Sequence, residues 1–231
     1  MKLSRAGANQ LLAEEGIALK AYRCSGNVLT IGAGHTAAAG PPAVKDGDII
    51  TLTDALDMFL ADIVPYEQAV RRAVKVKLFQ HEFDALVLFH YNTGAISSGS
   101  IDDKLNRGDR AGALATWRSY NKAGGKISKG LVARRARETA MFERGTYETR
   151  NIQLIQADGK KRSLRPDSFV WPGAAADPAP PPVPTPPVQV APPVFVPPPP
   201  DVEPPPPQEP PAPSLLARII LAILAIFGRK A

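Results

Sequence analysis

The sequence predicts an α+β fold, with a small β-hairpin lobe near the N-terminus and a larger helical lobe after it. Three observations predict it. Two short apolar runs, Ala21 to Arg23 and Val28 to Ile31, flank the turn signal Ser25-Gly26-Asn27. From about residue 53 to residue 144 the apolar residues recur at helical spacing instead. Glycine-rich or proline-containing stretches separate these segments, as connections require.

Leu11, Leu12, Ile17 and Leu19 predict a short helix ending near Gly16, before the hairpin. Gly32-Ala33-Gly34 permits close backbone approach or positive φ. Residues 37–47 form a loop marked by Pro41-Pro42 and Asp46-Gly47. Thr53 is the expected N-cap of a helix carrying Leu56, Phe59, Leu60 and Ile63. Pro65 is expected to kink or break it, with Val70 and Val74 continuing the apolar face. Further helices are predicted at Leu78 to Tyr91, ending near Asn92-Thr93-Gly94, then at 100–107, 110–121 and 129–144. Lys122-Ala123-Gly124-Gly125 separates the last two, and residues 151–171 carry only weak patterning.

Domain organisation follows from composition. Residues 1–150 form the main domain, and 151–171 extend it. Of 25 prolines, 21 fall between Pro172 and Pro213, a stretch that builds no core and defaults to polyproline II. At roughly 3.1 Å per residue it would extend about 130 Å when stiff. Residues 214–231 follow, with an apolar core from Ile219 to Phe227 and a narrow stripe of Arg218, Ala222, Ala225 and Arg229. That run is shorter than the roughly 20 residues of a spanning helix and suits an interfacial one, with a short spanning anchor whose Arg218 snorkels, a helix packed on a partner, and perturbation of an outer membrane as the alternatives.

Charge narrows the partners. Residues 1–171 hold 25 basic against 18 acidic side chains. A basic domain favours a polyanion, whether nucleic acid, anionic lipid or acidic wall polymer. No nucleic-acid motif is present, so nucleic acid is the poorest of these. One cysteine, Cys24, excludes an intrachain disulfide, and three scattered histidines argue against structural zinc. No cofactor is expected. The N-terminus has no apolar stretch of signal-peptide length.

The chemistry concentrates between Glu14 and Thr36. A glutamate at a helix end, beside a glycine and facing a small sheet, loses solvent, and lost solvent favours the neutral acid. Glycosidic cleavage needs such an acid on the leaving oxygen and a second group across the sugar. Glu15 fits the first role. Cys24 and Thr30, on the two arms of the hairpin, are placed to face it. His35 is expected to order its Gly-His-Thr turn, and His81 and His90 to be structural or exposed. Core packing is the expected role of Tyr22, Trp117 and Tyr120, with sugar stacking the alternative. Lys129, Arg134, Arg135 and Arg137 read as a solvated basic face.

The segment EGIALKAYRCSGNVLTIGAGHT, residues 15–36, closely resembles the active-site segment of phage-type lysozymes (glycoside hydrolase family 24), the muramidase endolysins of tailed bacteriophages. Glutamate, eight residues, Asp or Cys, five residues and threonine map without a gap onto Glu15, Cys24 and Thr30. The resemblance continues through residues 74–94 and 104–138. It implies a two-lobed lysozyme-like fold with a cleft, and hydrolysis of the β-1,4 bond between N-acetylmuramic acid and N-acetylglucosamine in peptidoglycan. Glu15 would be the general acid, and Thr30 would help hold water on the opposite face. Cys24 replaces the usual Asp, leaving base, nucleophile and charge-stabiliser open as its role.

The resemblance further implies a monomer made in a host cytoplasm, holin-assisted export and action in the periplasm on the wall. Membrane contact is expected through residues 214–231. A lytic transglycosylase, needing one acid, and a non-catalytic wall-binding module are the alternatives.

Overall fold

The computed structural model describes residues 1–24 and 26–172. The expected proline-rich linker from residue 173 and the helix at 214–231 lie outside them, as does Ser25 of the hairpin turn.

Helix α1 (Arg5–Glu15) starts where the Ser4 hydroxyl accepts the Gly7 N–H at 3.0 Å, and it ends at Gly16, whose φ is 74°. Its buried face includes Ala8, Leu11 and Leu12. Ile17 and Leu19, expected on this helix, instead lie in strand β1 (Ile17–Arg23), because Gly16 turns the chain directly from one element into the other. Strand β2 (Leu29–Gly32) returns antiparallel to β1, and β3 (His35–Thr36) pairs with β2. Between β1 and β2 the Asn27 N–H donates to the Cys24 carbonyl at 2.8 Å, and the Cys24 N–H to Val28 O at 3.0 Å. Asn27 has φ 58°, a conformation its short polar side chain tolerates.

Helix α2 (Leu52–Asp62) is capped by Thr51, not Thr53. Only Thr51 has an acid at the third helical position, and Asp54 completes the reciprocal capping box. Pro65 does not kink α2; it lies in the first turn of a new helix, α3 (Val64–Ala73), where its missing N–H has no helical partner to lose. Helix α4 (Gln80–Thr93) is buried along every residue from Glu82 to Phe89 and forms the core's axis, ending at left-handed Gly94. Helices α1, α3 and α7 (Lys129–Arg144) pack against it. Between them run α5 (Ile101–Asn106), α6 (Arg110–Ser119) and a two-residue hairpin, β4 (Lys122–Ala123) with β5 (Lys126–Ile127). Gly124 and Gly125, both at positive φ, make that hairpin's turn, where a plain helix break was expected.

The weakly patterned segment after residue 150 is ordered structure. Strand β6 (Ile152–Ile155) lies parallel beside β1, with Ile17 opposite Leu154, and β7 (Lys161–Leu164) completes a hairpin with it. The small lobe is therefore a five-stranded sheet in the order β3-β2-β1-β6-β7, larger than the hairpin expected. Neighbouring parallel strands need a long crossover, and here the helical lobe is that crossover. Ile152 and Leu154 are buried while Gln153 is exposed, so only alternate positions carry apolar signal. Beyond β7 the chain returns to the helices. Trp171, 4% exposed, packs on Phe59 and Phe169.

Asp84, in the second turn of α4, is wholly buried and joins that helix to two distant segments. It accepts the Ser4 N–H at 3.0 Å, the Gln80 amide at 2.8 Å and the Tyr147 hydroxyl at 2.7 Å, with the Ser4 hydroxyl as a further donor. Burial raises its carboxyl above the usual range, against the pull of those donors. Among the described residues no helix is long and apolar enough to cross a membrane.

Trp171→Ala should cost about 3–5 kcal/mol in chemical denaturation, the range for emptying a large aromatic site. Val170→Ala, at a position 81% exposed, should stay within about 0.5 kcal/mol of the parent. Equal effects would mean that the returning segment does not belong to the core.

Candidate active site

Glu15 is the last residue of α1 and sits where the helical lobe meets the sheet. A Cβ on Gly16 would come within 3.1 Å of the Gln153 carbonyl oxygen, and the backbone there has positive φ. Glycine therefore lets α1 end against β6 with the preceding carboxylate at the junction. The Glu15 side chain is 27% exposed, and its Oε1 lies 2.9 Å from Arg134 Nη2. This is a charge contact whose N–H is not aligned on the oxygen. The solvent-poor setting expected from the sequence is thus only half present: solvent is reduced, but a guanidinium stands beside the acid.

That guanidinium belongs to a buried network. Arg134 Nε donates to Glu138 Oε1 at 3.2 Å, and Arg135 Nη2 donates to the same oxygen at 2.7 Å. Trp117 Nε1 donates to Glu138 Oε2 at 2.9 Å, and Arg135 also reaches Asn92 Oδ1 at 2.7 Å. Burial opposes the charge on Arg134. The Glu15, Glu138 and Glu14 carboxylates outweigh it and hold the group protonated beyond its ordinary range.

The solvated basic face expected on α7 is therefore wrong for Arg134 and Arg135, which are 8% and 1% exposed. Their charges are buried because Glu138 sits four and three residues away on the same helix. Arg137, next on the helix, forks onto Glu14 at 2.7 and 3.0 Å, and Arg150 adds a contact at 2.7 Å. Burial works against the Glu14 charge, but Arg137, Arg134 and Arg150 hold the carboxyl below its usual range.

Thr30 lies on β2, 5% exposed, and its hydroxyl donates to Val28 O at 3.1 Å. It stands opposite Tyr22 on β1 and Thr36 on β3, so the three share one face of the sheet. Cys24 is not on a strand arm. It is half-buried in the turn just past β1, where both its backbone groups close the loop. Tyr22 links the candidates: its phenol is raised first by partial burial, then by the Cys24 and Glu15 charges. Tyr22 itself stands opposite Thr30, two residues before Cys24. Tyr22 is partly exposed, so the core packing expected for it does not hold, while Trp117 is fully buried.

His35 is 1% exposed and uses both ring nitrogens. Nε2 donates to the Pro42 carbonyl at 2.9 Å, and Nδ1 meets Asp62 at 2.8 Å. The ring ties the Gly-His-Thr turn to α2 and to the loop behind it. Burial raises the Asp62 carboxyl, and His35 opposes that shift.

Sequence reasoning missed Arg134 and Glu138, although the run R-R-A-R-E holds the cation–anion spacing that signals them. It also missed Tyr66 and Tyr91, whose rings lie 4.8 Å apart. Tyr91 donates to Ala33 O at 3.0 Å, and its phenol is raised well above the ordinary range by burial first and by Glu15 next.

The family model for phage lysozyme matches residues 12–138, which holds Glu15, Cys24, Thr30, the α4 axis and the Arg134–Glu138 network. The chain belongs to the phage lysozyme family. An endolysin of Bacillus phage PZA is 41% identical over 150 residues, covering 63% of this chain and 57% of that relative. The match thus spans little more than half of that relative's length. Among solved structures, an endolysin from Escherichia coli O157:H7 phage FAHEc1 is 34% identical, covering 64% of this chain and 97% of its own, with a TM-score of 0.58. The muramidase domain of SpmX from Asticaccaulis excentricus is 28% identical, covering 62% and 97%, with a TM-score of 0.55. The lysozyme-type fold is common to all of these structures, and the β7 hairpin partner and Trp171 lie beyond the part that the family model matches.

Glu138→Gln should cost about 3–5 kcal/mol in denaturation, because it leaves Arg134 and Arg135 short of a buried counter-charge. Glu143→Gln, which removes an exposed pair with Arg118, should cost under about 1 kcal/mol. His90 is pushed down to about 4 by burial and then by Arg72, and its Nδ1 accepts the Ile96 N–H at 3.4 Å. A depressed histidine favours the neutral form in the fold, so stability should fall as pH drops from about 6.5 towards about 4. His90→Asn keeps an acceptor and removes the titration, so its melting temperature should fall less than the parent's over that interval. Parallel curves would remove His90 from the acid response.

Proposed function

We propose that this chain is an endolysin acting as a muramidase, hydrolysing the β-1,4 bond between N-acetylmuramic acid and N-acetylglucosamine in bacterial peptidoglycan. The observation that carries this reading is the position of Glu15: a part-covered acid at the lobe junction, beside buried Arg134 and immediately before β1, the strand that pairs with Thr30 through Tyr22 and leads into Cys24. The names of the relatives, endolysin and muramidase domain, support it.

In this mechanism Arg134 holds Glu15 Oε1, leaving Oε2 to present a proton to the glycosidic oxygen. Glycan filling the cleft displaces the remaining water around the carboxyl, which favours its protonated form. The C–O bond breaks as that proton transfers, and positive charge grows on the anomeric carbon. Thr30 holds a water on the far face. Cys24, as thiolate, takes one proton from that water while its oxygen bonds the anomeric carbon, inverting the configuration. The products are a reducing sugar and a shortened chain; the thiol releases its proton to solvent and Glu15 takes one up, which resets both groups.

In the cell, the reading places the protein on the wall of a phage host, with holin-assisted export and membrane contact through residues 214–231.

The test is mass spectrometry of soluble products from purified peptidoglycan. Wild type should release reducing muropeptides, and Glu15→Gln should lower release by at least a thousandfold. Cys24→Ala should lose about a hundredfold or more, the range for a general base, and Cys24→Asp should retain activity after alkylation by iodoacetamide, which should inactivate the parent. Anhydro-sugar products would replace hydrolysis with lytic transglycosylation. No release from wild type would leave a wall-binding module.

A further inference from the structure

We propose that the outer face of the β6–β7 hairpin, with the free edge of β7, is a second binding surface, which takes the carboxylates of the peptide stems carried by the glycan. It rests on the peptidoglycan reading above and adds a recognition surface to it.

Residues 149–165 hold five basic side chains and one acidic one, Asp158. Three of the five cations have carboxylate partners: Arg150 with Glu14, Lys160 with Asp158 and Arg165 with Asp167. Lys161 and Arg162, adjacent on β7, have none among the described residues. These two line a cavity of about 270 Å³ together with Asn151, Gln153 and Ser163. Those three side chains make no hydrogen bond among the described residues, so the cavity presents two uncompensated cations and three unengaged polar groups with no acid. Cross-strand register places Gln153 opposite Ser163 and Ile155 opposite Lys161, on the face turned away from buried Ile152 and Leu154, whereas Arg162 pairs with Leu154 and borders the cavity from the free edge of β7, the last strand of the sheet.

Position makes the surface useful to the site. β6 lies directly against β1, and the Gln153 carbonyl borders Gly16, the residue after Glu15. At about 4.8 Å per strand, β7 is roughly 10 Å from β1. A stem of four or five residues extends roughly 13–18 Å, enough to cross that interval from a glycan in the cleft. The chemistry selects the ligand. An arginine fork and a lysine suit carboxylates, and the neutral amides suit peptide groups beside them. No aromatic ring lines the cavity to stack a base, so a nucleic-acid strand fits it poorly.

The test uses the full chain carrying Glu15→Gln, so that the polymer is not consumed, and co-sedimentation with Gram-negative sacculi free of phosphate polymers. Lys161→Gln/Arg162→Gln should weaken binding five- to tenfold. Lys77→Gln/Lys126→Gln, an equal loss of exposed charge on the helical lobe, should change it less than twofold. Converting the sacculus carboxylates to amides should weaken the parent by the same five- to tenfold and leave the hairpin variant where it was. Equal binding by the two double variants would overturn the proposal, as would a hairpin variant still sensitive to amidation. With Glu15 restored, the hairpin variant should raise apparent KM and leave kcat unchanged. Absence of muropeptide release from the Glu15 protein would remove the hydrolase reading while the sedimentation result still decides this one.

Discussion

The structure depends on one buried carboxylate. Glu138 accepts from Arg134, Arg135 and Trp117, and through those donors it connects α7 to α6, to Asn92 on α4 and to Glu15 at the end of α1. The two guanidiniums and the two glutamates cancel in charge, which is the condition under which such groups are tolerated inside a fold. An ion cluster of this kind is a weak source of stability, because desolvation offsets most of the attraction. Its strength is directional: Arg134 cannot turn away from Glu15 without leaving Glu138. The position of the candidate acid is thereby set by the helical core.

The sheet supplies the opposite constraint. β1 follows Glu15 after one glycine and is gripped on both sides, by β2 and by β6. Because β6 arrives only after the whole helical lobe, the parallel pairing closes the two lobes into one unit. Trp171 on Phe59, and Tyr147 on Asp84, return later chain to earlier helices in the same way. The junction between lobes is thus built by residues far apart in the chain, and the acid sits on it.

Cys24 stands differently from Glu15. The acid belongs to a helix end locked by packing and charge, whereas the thiol belongs to a turn held by two backbone hydrogen bonds. The second catalytic role proposed for it would therefore rest on a local structure of lower constraint. In the proposed mechanism that asymmetry suits an acid fixed in direction and a water on the far face held jointly by Thr30, a loop thiol and the substrate itself.

The sequence by itself determined the helices of the second lobe, the hairpin with its Asn27 turn, and the Glu15, Cys24 and Thr30 spacing, because these are local: caps, periodicity and fixed intervals along one segment. It misplaced Ile17 and Leu19, since apolar residues beside Gly16 suit a helix end and a strand equally well. It missed β6 and β7, because a strand buried on alternate residues at a sheet border carries too few apolar positions to register. It read Arg134 and Arg135 as solvated, since a cation's burial depends on partners such as Glu15, more than a hundred residues away. Only the tertiary structure decided those points, because pairing across the chain and the burial of charge exist only once distant segments meet.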